Sequence, residues 1–314
     1  MKTAFLFPGQ GSQKVGMLHD LSLRYESVRK ILQKADQVLG FSISKLMFEG
    51  PDSELMKTEF TQPAILTASV ACWTVLKEQG VIPDMAAGHS LGEYSALVAA
   101  GAMTFEDAVY TVHMRGKFMQ EAVPIGQGGM AAIMGLDPAS IESICREISG
   151  DAGPVQAVNF NCPGQVVIAG ETQAVQKACK KIKEAGARRA IMLRVSAPFH
   201  STLMEPAAMK LKTILDKIKI KNAAVPVVSN YTAQFETDAA QIKHNLVMQA
   251  AHPVLWENSV KTMIQGGMTT ALECGPGTVL TGFTHRIDKK ISSVHVEDEE
   301  SLQEALQFIK ETQP

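Results

Sequence analysis

The sequence predicts an α/β protein with a large hydrolase-like domain, built around a central parallel sheet, and a small ferredoxin-like domain inserted into it. A GxSxG sequence at residues 88–92 lies between a short apolar segment and a good helix former, the strand–turn–helix context of a nucleophile elbow. Residues 128–195 follow the order βαββαβ, and parallel-sheet signals resume after them. We therefore expect residues 1–126 and 197–314 to form the large domain, and residues 127–196 the small one.

The N-terminal third predicts two strands and several helices. Lys2–Phe7 is a short apolar run that stops at a Pro-Gly pair, as a buried strand does. A mostly helical stretch follows, and Met85–Gly88 is the second short strand. Leu91–Ala100 is rich in helix formers and is closed by a glycine. The next helix is expected over residues 104–122, with capping-box chemistry at its start.

Strand and helix patterns alternate in the middle of the chain. Strand patterns occur at residues 130–134, 155–158, 165–169 and 190–195, and helix patterns at 138–148 and 172–185. This order is the ferredoxin-like arrangement. Later strands are expected at 225–229 and 269–273, and later helices at 242–250, 256–265 and after the glycines of 275–277. Because the large-domain pattern resumes, the middle segment is predicted to be an insertion.

The composition excludes several function classes. The formal net charge is -2 and 46% of the residues are apolar, so we expect neither nucleic acid nor a membrane as a partner. The five cysteines have no metal-ligand spacing, so we expect no metal centre, no cofactor and a reducing compartment. The N-terminus lacks the apolar core of a signal peptide, and no apolar run is long enough to span a membrane. These features predict a globular cytoplasmic protein.

Ser90, in the middle of the GxSxG sequence, is the candidate nucleophile. A serine at this turn has an exposed hydroxyl, and glycines two residues away on either side relieve crowding. The main-chain N–H of Leu91 lies at the helix start, where unpaired donors and the positive end of the helix dipole can hold a developing oxyanion. The alternative interpretation is a glycine-bounded turn with an incidental serine.

A serine nucleophile needs a base, and His200 has the most suggestive setting of the eight histidines. It lies in a loop between a strand and a helix, with Pro198 fixing the approach. His89 adjoins Ser90, but neighbouring residues of a strand point to opposite faces, so we expect it to be a packed, hydrogen-bonded histidine. The alternative for His200 is a structural loop histidine. No third acid is evident, so a main-chain carbonyl or an amide can orient the imidazole instead.

Arg115 occupies the apolar stripe of the helix over residues 104–122. The other stripe positions, at i, i+3, i+4 spacing, are Phe105, Ala108, Val112, Met119 and Ala122. A buried guanidinium needs a partner, and its planar fork suits a carboxylate. One interpretation is a structural salt bridge to a core acid such as Glu93. The other is that the carboxylate arrives on the substrate.

The loop after the first strand, residues 7–13, contains two glycines. Its sequence FPGQGSQ matches neither GxxxxGK[ST] nor GxGxxG, so nucleotide binding is not favoured. A glycine loop at the carboxyl end of a strand can aim N–H groups into an active-site crevice. The alternative is a simple tight turn.

Seven segments taken together closely resemble the malonyl-CoA:acyl-carrier-protein transacylases. They are FPGQGSQ at 7–13, TQPA at 61–64, GHSLGEYSALVAAG at 88–101, RG at 115–116, NCPGQVVIAG at 161–170, PFHS at 198–201 and GPG at 275–277. The matches cover essentially the whole chain in the right order. The likeness is to a stand-alone enzyme of fatty acid synthesis.

The resemblance implies a set of catalytic groups. Ser90 would be the acylated nucleophile and His200 its base, with Gln249 helping to orient the imidazole. The N–H groups of Gln10 and Leu91 would form the oxyanion hole.

The resemblance also implies a substrate pocket. Arg115 would bind the malonyl carboxylate, Met119 would line the pocket one turn further on, and Phe199 would exclude branched α-substituents. Gln62 and Asn161 belong to matching motifs and are expected to bind substrate.

Two positions depart from the family pattern. Ala251-His252 stands where many members have an aromatic and a small polar residue, which bears on the packing around Gln249. Cys274 replaces the usual aliphatic residue before the GPG sequence.

The implied activity is ping-pong transfer of a malonyl group through a malonyl-serine. The implied partners are malonyl-CoA and acyl carrier protein, and a monomer is the default expectation. Three alternatives remain. A serine hydrolase would share GxSxG but would normally show the missing acid and has no need of Arg115. The same transferase could serve polyketide synthesis, or the chain could be a non-catalytic carrier-binding module, against which the Ser90/His200 pair argues.

Overall fold

Six strands form the larger sheet of the computed structural model, which describes residues 2–124, 126–193, 195 and 197–312. Numbered along the chain, they lie in the order β10 (Ser292–Val296), β9 (Met268–Cys274), β1 (Lys2–Phe7), β2 (Met85–Gly88), β7 (Val227–Val228) and β8 (Phe235–Glu236). The first five are parallel, but β8 is antiparallel to β7. The predicted parallel sheet is therefore a mixed sheet. The connection over residues 229–234 is too short for a parallel crossover, so it makes a hairpin.

Helices lie on both faces of this sheet, some in direct contact with it and others packed against those helices. They are α1 (His19–Arg24), α2 (Glu26–Leu39), α3 (Ile43–Glu49), α4 (Asp52–Leu55), α5 (Thr58–Glu78), α6 (Gly92–Ala99), α7 (Phe105–Glu121), α10 (Glu205–Leu215), α11 (Ala239–Ala251), α12 (Trp256–Gln265), α13 (Val279–Ile287) and α14 (Glu299–Thr312). Along β1, Phe5 and Phe7 point into one apolar core, whereas Ala4 and Leu6 point into another. Burial on both faces explains why this strand is almost continuously apolar.

The smaller sheet has four antiparallel strands. In spatial order they are β4 (Val155–Cys162), β5 (Gln165–Glu171), β3 (Gly128–Met134) and β6 (Arg189–Met192), and the helices α8 (Pro138–Ala152) and α9 (Thr172–Glu184) lie between them in sequence. One face of this sheet shares a core with α8 and α9. The other face contributes residues such as Met130 and Val167 to the main core. The predicted last strand extended to Val195, but β6 ends at Met192, and Arg194 lies outside the described residues.

A proline inside α5 leaves one carbonyl group of this helix free to contact α7. Pro63 has no N–H, so the carbonyl of Glu59 loses its helical donor. The Nδ1 of His113 on α7 lies 2.8 Å from that carbonyl oxygen. Because Gln62 adjoins Pro63 and Arg115 follows His113 by two residues, this contact holds the two helices together beside the candidate site.

Three elements were missing from the sequence prediction: β8, β10 and α14. The two-residue β8 is too short to show alternation, and β10 is a half-exposed edge strand. Within the described ranges, no helix is both long and apolar enough to cross a membrane.

Candidate active site

Ser90 lies in the turn between β2 and α6, with a φ of 53°. This left-handed conformation is strained for a residue with a side chain, and it is typical of a nucleophile elbow. Two glycines allow the close packing around it. A Cβ at Gly88 would collide with the main chain of Gly92, and a Cβ at Gly92 would collide with the carbonyl oxygen of Phe7. The GxSxG spacing thus follows from how tightly β1 and β2 approach α6.

Two amide side chains hold the main chain of this turn. The Oδ1 of Asn230, just after β7, accepts from the N–H of Ser90 at 2.6 Å, and its Nδ2 donates to the carbonyl of Gly88 at 2.7 Å. The Nε2 of Gln249 donates to the carbonyl of Ser90 at 2.8 Å. Both main-chain polar groups of Ser90 are therefore paired, which fixes the turn.

His200 contacts the candidate nucleophile directly. Its Nε2 lies 2.7 Å from the Oγ of Ser90, and its Nδ1 lies 2.8 Å from the main-chain oxygen of Gln249. A carbonyl oxygen only accepts, so the proton of a neutral imidazole belongs on Nδ1, and Nε2 is left to accept from the hydroxyl. The ring is thus held by a main-chain carbonyl, one of the two arrangements the sequence left open.

The environment of His200 keeps its imidazole neutral. The side chain is buried, and burial, followed by the positive charge of Arg115, lowers the pKa of His200 to about 3. At pH 7 the ring is therefore free to take a proton, as a general base must.

Arg115 is 1% exposed and is surrounded by neutral acceptors. One terminal nitrogen donates to the Oε1 of Gln62 at 2.8 Å. The other donates to the Oε1 of Gln249 at 2.8 Å and to the Oγ of Ser90 at 3.0 Å. Its guanidinium also lies 5.7 Å from the ring centre of Tyr94.

The alternative salt bridge between Arg115 and Glu93 does not form. None of the ion pairs in the described part of the chain includes Arg115. The amide of Gln249 lies between them, bonded to Arg115 through Oε1 and to the Oε2 of Glu93 through Nε2. The guanidinium is therefore oriented through its two terminal nitrogens, whereas its Nε has no hydrogen-bond partner and its charge no carboxylate partner among these residues.

Two N–H groups are available beside Ser90. Gln10 follows β1 and Leu91 follows Ser90, and both line the same cleft. Neither main-chain N–H donates to another group among the residues described. The loops meet because β1 and β2 are parallel neighbours, so their carboxyl ends lie at the same sheet edge. Gly9 permits this approach, since a Cβ there would lie 2.6 Å from the carbonyl oxygen of His89.

These groups open into one cleft of about 100 Å³ between the two sheets. Eight of the ten predicted site residues line it: Gln10, Gln62, Ser90, Leu91, Arg115, Met119, Phe199 and His200. Gln249 lies behind this layer, fully buried, and contacts three of its members. The Nε2 of Gln62 also contacts the sulfur of Met119 at 3.8 Å.

Asn161 is not part of the cleft lining. Its Oδ1 lies 2.9 Å from the Nε2 of His89, which agrees with the prediction of a packed, hydrogen-bonded His89. Asn159, two residues earlier on β4, lines the cleft instead, and its Oδ1 has no hydrogen-bond partner within the described ranges.

Sequence reasoning missed Asn230 and the wall formed by the smaller sheet and the segment that follows β6. Asn230 follows the short strand β7 at the sheet edge that carries Ser90, and a polar residue at that position is a usable signal. The wall residues Met130, Leu193 and Val195 are ordinary apolar residues, so nothing in the sequence marks them.

The position that departs from the family pattern near Gln249 is well packed. The Nδ1 of His252 lies 2.8 Å from the carbonyl of Met248, and its ring meets Tyr231 edge-on. Ala251 and Gln249 are both buried. The substitution therefore leaves the main-chain oxygen of Gln249 in contact with His200.

Comparisons with known proteins identify the family of the chain. The acyl transferase domain family matches residues 4–303. The malonyl CoA-acyl carrier protein transacylase of Bacillus subtilis (strain 168) is 48% identical over 310 residues, covering 99% of this chain and 98% of the relative. The crystal structure of the acyl-carrier-protein S-malonyltransferase from Burkholderia pseudomallei 1710b is similar, with 49% identity, a TM-score of 0.95 and coverage of 98% of this chain and 100% of that one.

A third relative is a malonyl-transacylase solved in complex with a type II PKS acyl-carrier protein. It has 48% identity and a TM-score of 0.96, and the match covers 98% of this chain and 100% of that one. All three relatives are matched over nearly their whole length. The chain is therefore an acyltransferase and belongs to the acyl transferase domain family, among the malonyl CoA-acyl carrier protein transacylases.

Proposed function

We propose that the chain transfers a malonyl group from malonyl-CoA to the phosphopantetheine thiol of an acyl carrier protein, by a ping-pong mechanism through a malonyl-serine at Ser90. One observation carries the proposal. The Oγ of Ser90 lies 2.7 Å from the Nε2 of His200 and 3.0 Å from a guanidinium nitrogen of Arg115, in a single cleft. A nucleophile, a base and a cation for the far end of the acyl group are thus within reach of one substrate.

In the first half-reaction the malonyl group moves to Ser90. His200 Nε2 accepts the hydroxyl proton as Oγ attacks the thioester carbon. The carbonyl oxygen becomes an oxyanion, which the N–H groups of Gln10 and Leu91 hold. When the carbon–sulfur bond breaks, the proton passes from His200 to the sulfur, and coenzyme A leaves as a thiol.

In the second half-reaction the steps run in reverse with a new thiol. The carrier's thiol gives its proton to His200, and its sulfur attacks the ester carbon. The bond between the acyl carbon and Ser90 Oγ breaks, and His200 returns the proton to that oxygen, which restores the hydroxyl. The malonyl thioester of the carrier and the free enzyme result.

Selectivity for malonyl arises at Arg115. Its hydrogen-bond partners are uncharged, so its positive charge remains available to a substrate carboxylate. Gln62 and Gln249 orient the guanidinium, while Met119 and Phe199 limit the room beside it. Of the predicted binding residues, Asn161 acts indirectly, by holding His89 against the cleft.

The relatives' names support malonyl-CoA and an acyl carrier protein as substrates, and we propose fatty acid synthesis as the pathway. The relative bound to a type II PKS carrier favours polyketide synthesis as a second candidate pathway. Comparing kcat/KM for a fatty acid carrier and a polyketide carrier separates the two. We further propose that the chain acts as a monomer in the cytoplasm.

We also propose that residues 127–196 form a ferredoxin-like domain, inserted between the large-domain segments 1–126 and 197–314. The βαββαβ order and the strand order β4-β5-β3-β6 support this division. The small sheet's separate core against α8 and α9 supports it too.

The malonyl-serine is tested by intact-mass measurement after treatment with malonyl-CoA. The wild type should gain one malonyl group, and the Ser90→Ala variant should gain none. A wild type that stays unmodified, or a Ser90→Ala variant that is modified equally, contradicts the proposal.

A further inference from the structure

A buried carboxyl group behind the nucleophile has no part in the transfer cycle described above. Glu93 lies in the first turn of α6 and is fully buried. Its Oε2 accepts from the main-chain N–H of Asn230 and from the Nε2 of Gln249, both at 3.0 Å. Its Oε1 has no partner among the residues described. Burying a carboxyl group is unfavourable, so its contacts need an explanation.

We infer that Glu93 is a positioning residue for the reacting groups, acting through Asn230 and Gln249. The inference rests on the proposed function, because the groups that it positions are those of the proposed transfer. Glu93 itself touches neither the cleft nor a reacting atom.

The first path runs through the side-chain amide of Gln249. Its Oε1 accepts from Arg115, and its Nε2 donates to the carbonyl of Ser90 and to Glu93. In the flipped orientation of the Gln249 amide, the NH₂ group would face the guanidinium, which only donates. The amide oxygen would then face two hydrogen-bond acceptors. Glu93 is one of the two acceptors that select the observed orientation.

The same residue also holds the base. The main-chain oxygen of Gln249 is 2.8 Å from the Nδ1 of His200. Any movement of Gln249 that follows the loss of Glu93 therefore reaches His200 as well as Arg115.

The second path runs through Asn230. Its main-chain N–H bonds Glu93, while its side chain bonds the main chain of Ser90 and of Gly88. Ser90 has a positive φ, a conformation that persists only where the surroundings impose it. Glu93 therefore fixes the residue that holds the strained turn.

The arrangement also preserves the charge of Arg115. A direct ion pair with Glu93 would compete with a substrate carboxylate, but the Gln249 amide separates the two groups. Burial, followed by the negative charge of Glu236, raises the pKa of Glu93 above its ordinary value. The charged form of Glu93 is therefore disfavoured, which further limits its neutralisation of the guanidinium.

The test compares Glu93→Ala with Glu93→Gln, which keeps an amide oxygen for both N–H donors. Glu273→Ala is a matched control, because Glu273 is also fully buried and accepts two N–H groups, from Leu280 and Thr281, away from the cleft. Single-turnover acyl-enzyme formation, kcat and KM for malonyl-CoA and acetyl-CoA, and thermal midpoints are measured for each. If Glu93→Ala does not fold, Glu93→Leu, of similar volume, replaces it.

We expect the rate of acyl-enzyme formation to fall about a hundredfold in Glu93→Ala, because a small displacement of a reacting group causes a rate loss of this size. Its preference for malonyl over acetyl should also fall, because Arg115 loses a fixed partner. Glu93→Gln should stay close to the wild type in both respects. Glu273→Ala should lower the thermal midpoint and leave kcat of the folded protein near that of the wild type.

Two results overturn the inference: a Glu93→Ala protein with wild-type kcat and preference, or a Glu93→Gln protein as impaired as Glu93→Ala. The first would mean that the contacts position nothing, and the second that the acceptor geometry is not what matters. A wild type that forms no acyl-enzyme would instead refute the proposed transfer itself, so the two failures are distinct.

Discussion

The two walls of the cleft differ in chemistry. The large part of the chain supplies Ser90, His200 and Arg115, and the hydrogen bonds described for these three side chains all come from that part. The smaller sheet supplies Met130 and a single polar side chain, Asn159, and the segment after β6 supplies Leu193 and Val195. We infer from this difference that the proposed reaction depends on a fixed polar network on one wall, whereas the other wall contributes mainly apolar surface.

The largest expected effect comes from removing the base on the polar wall. His200→Ala should lower kcat by about 10⁴-fold or more, because the hydroxyl of Ser90 then has no proton acceptor. Met130→Ala, on the apolar wall, is the matched control and should change kcat by less than about tenfold. Steady-state transfer assays on both variants test this difference between the walls. Similar losses of kcat in the two variants would contradict it.

Arg115→Ala should have the next largest effect. Loss of one partner of a buried charge pair costs about 2–5 kcal/mol, so kcat/KM for malonyl-CoA should fall by roughly 30- to 5,000-fold. Transfer of acetyl should fall less. It should still fall, because Arg115 also donates to the Oγ of Ser90.

The control is Lys117→Ala, which removes a cation from the same helix without touching the cleft. Equal losses of malonyl and acetyl transfer in Arg115→Ala would contradict a role in binding the carboxylate.

Much of the polar wall could be predicted from the sequence, because Gln10 and Ser90 lie in short motifs after strands and Arg115 interrupts the apolar stripe of a helix. The partner of His200 could not, since every residue has a main-chain oxygen and only the fold selects that of Gln249. The sequence likewise could not decide whether Arg115 forms a salt bridge with Glu93. Both were expected in the core, but the interposed Gln249 decides whether they meet.

The apolar wall was predicted less well. The register of β4 shifts between Ala157 and Asn159 and again between Phe160 and Cys162, so simple alternation does not identify which asparagine reaches the cleft. In the larger sheet, the antiparallel strand β8 was not predicted, because it has only two residues. The continuous apolar run of β1 and the helical pattern of α12 were sufficient, since both elements agree with their predicted bounds.

The polar wall should also affect how the free energy of unfolding depends on pH. Because the folded-state pKa of His200 is about 3, below the ordinary value of 6.5, the unfolded chain takes up a proton first as the pH falls. His200 should therefore lower the free energy of unfolding between pH 6.5 and pH 3, by up to about 1.4 kcal/mol per pH unit. Above pH 6.5 this effect is absent.

Denaturant unfolding of the wild type and His200→Gln at pH 7 and pH 5 measures it. The variant should lose less stability on acidification, while the exposed His244→Gln should behave like the wild type. An unchanged pH dependence in His200→Gln would show that the ring is not held neutral.

The smallest expected effect concerns the shape of the pocket. Phe199→Ala should raise transfer of a branched methylmalonyl group relative to malonyl by roughly tenfold, because the bulky ring limits room at the α-carbon. Met130→Ala should give a smaller increase. Competition between methylmalonyl-CoA and malonyl-CoA measures the ratio of the two transfer rates. If this ratio is unchanged in both variants, neither wall selects substrates by shape.

The central claim is that one cleft holds the malonyl group on Ser90 and then passes it to the carrier. The most direct measurement uses labelled malonyl-CoA, followed by peptide mapping and then a chase with the phosphopantetheinylated carrier. The account predicts label on the peptide that contains Ser90 and its quantitative movement to the carrier thiol. Label on another residue, or its release as free malonate faster than its transfer to the carrier, would contradict the account.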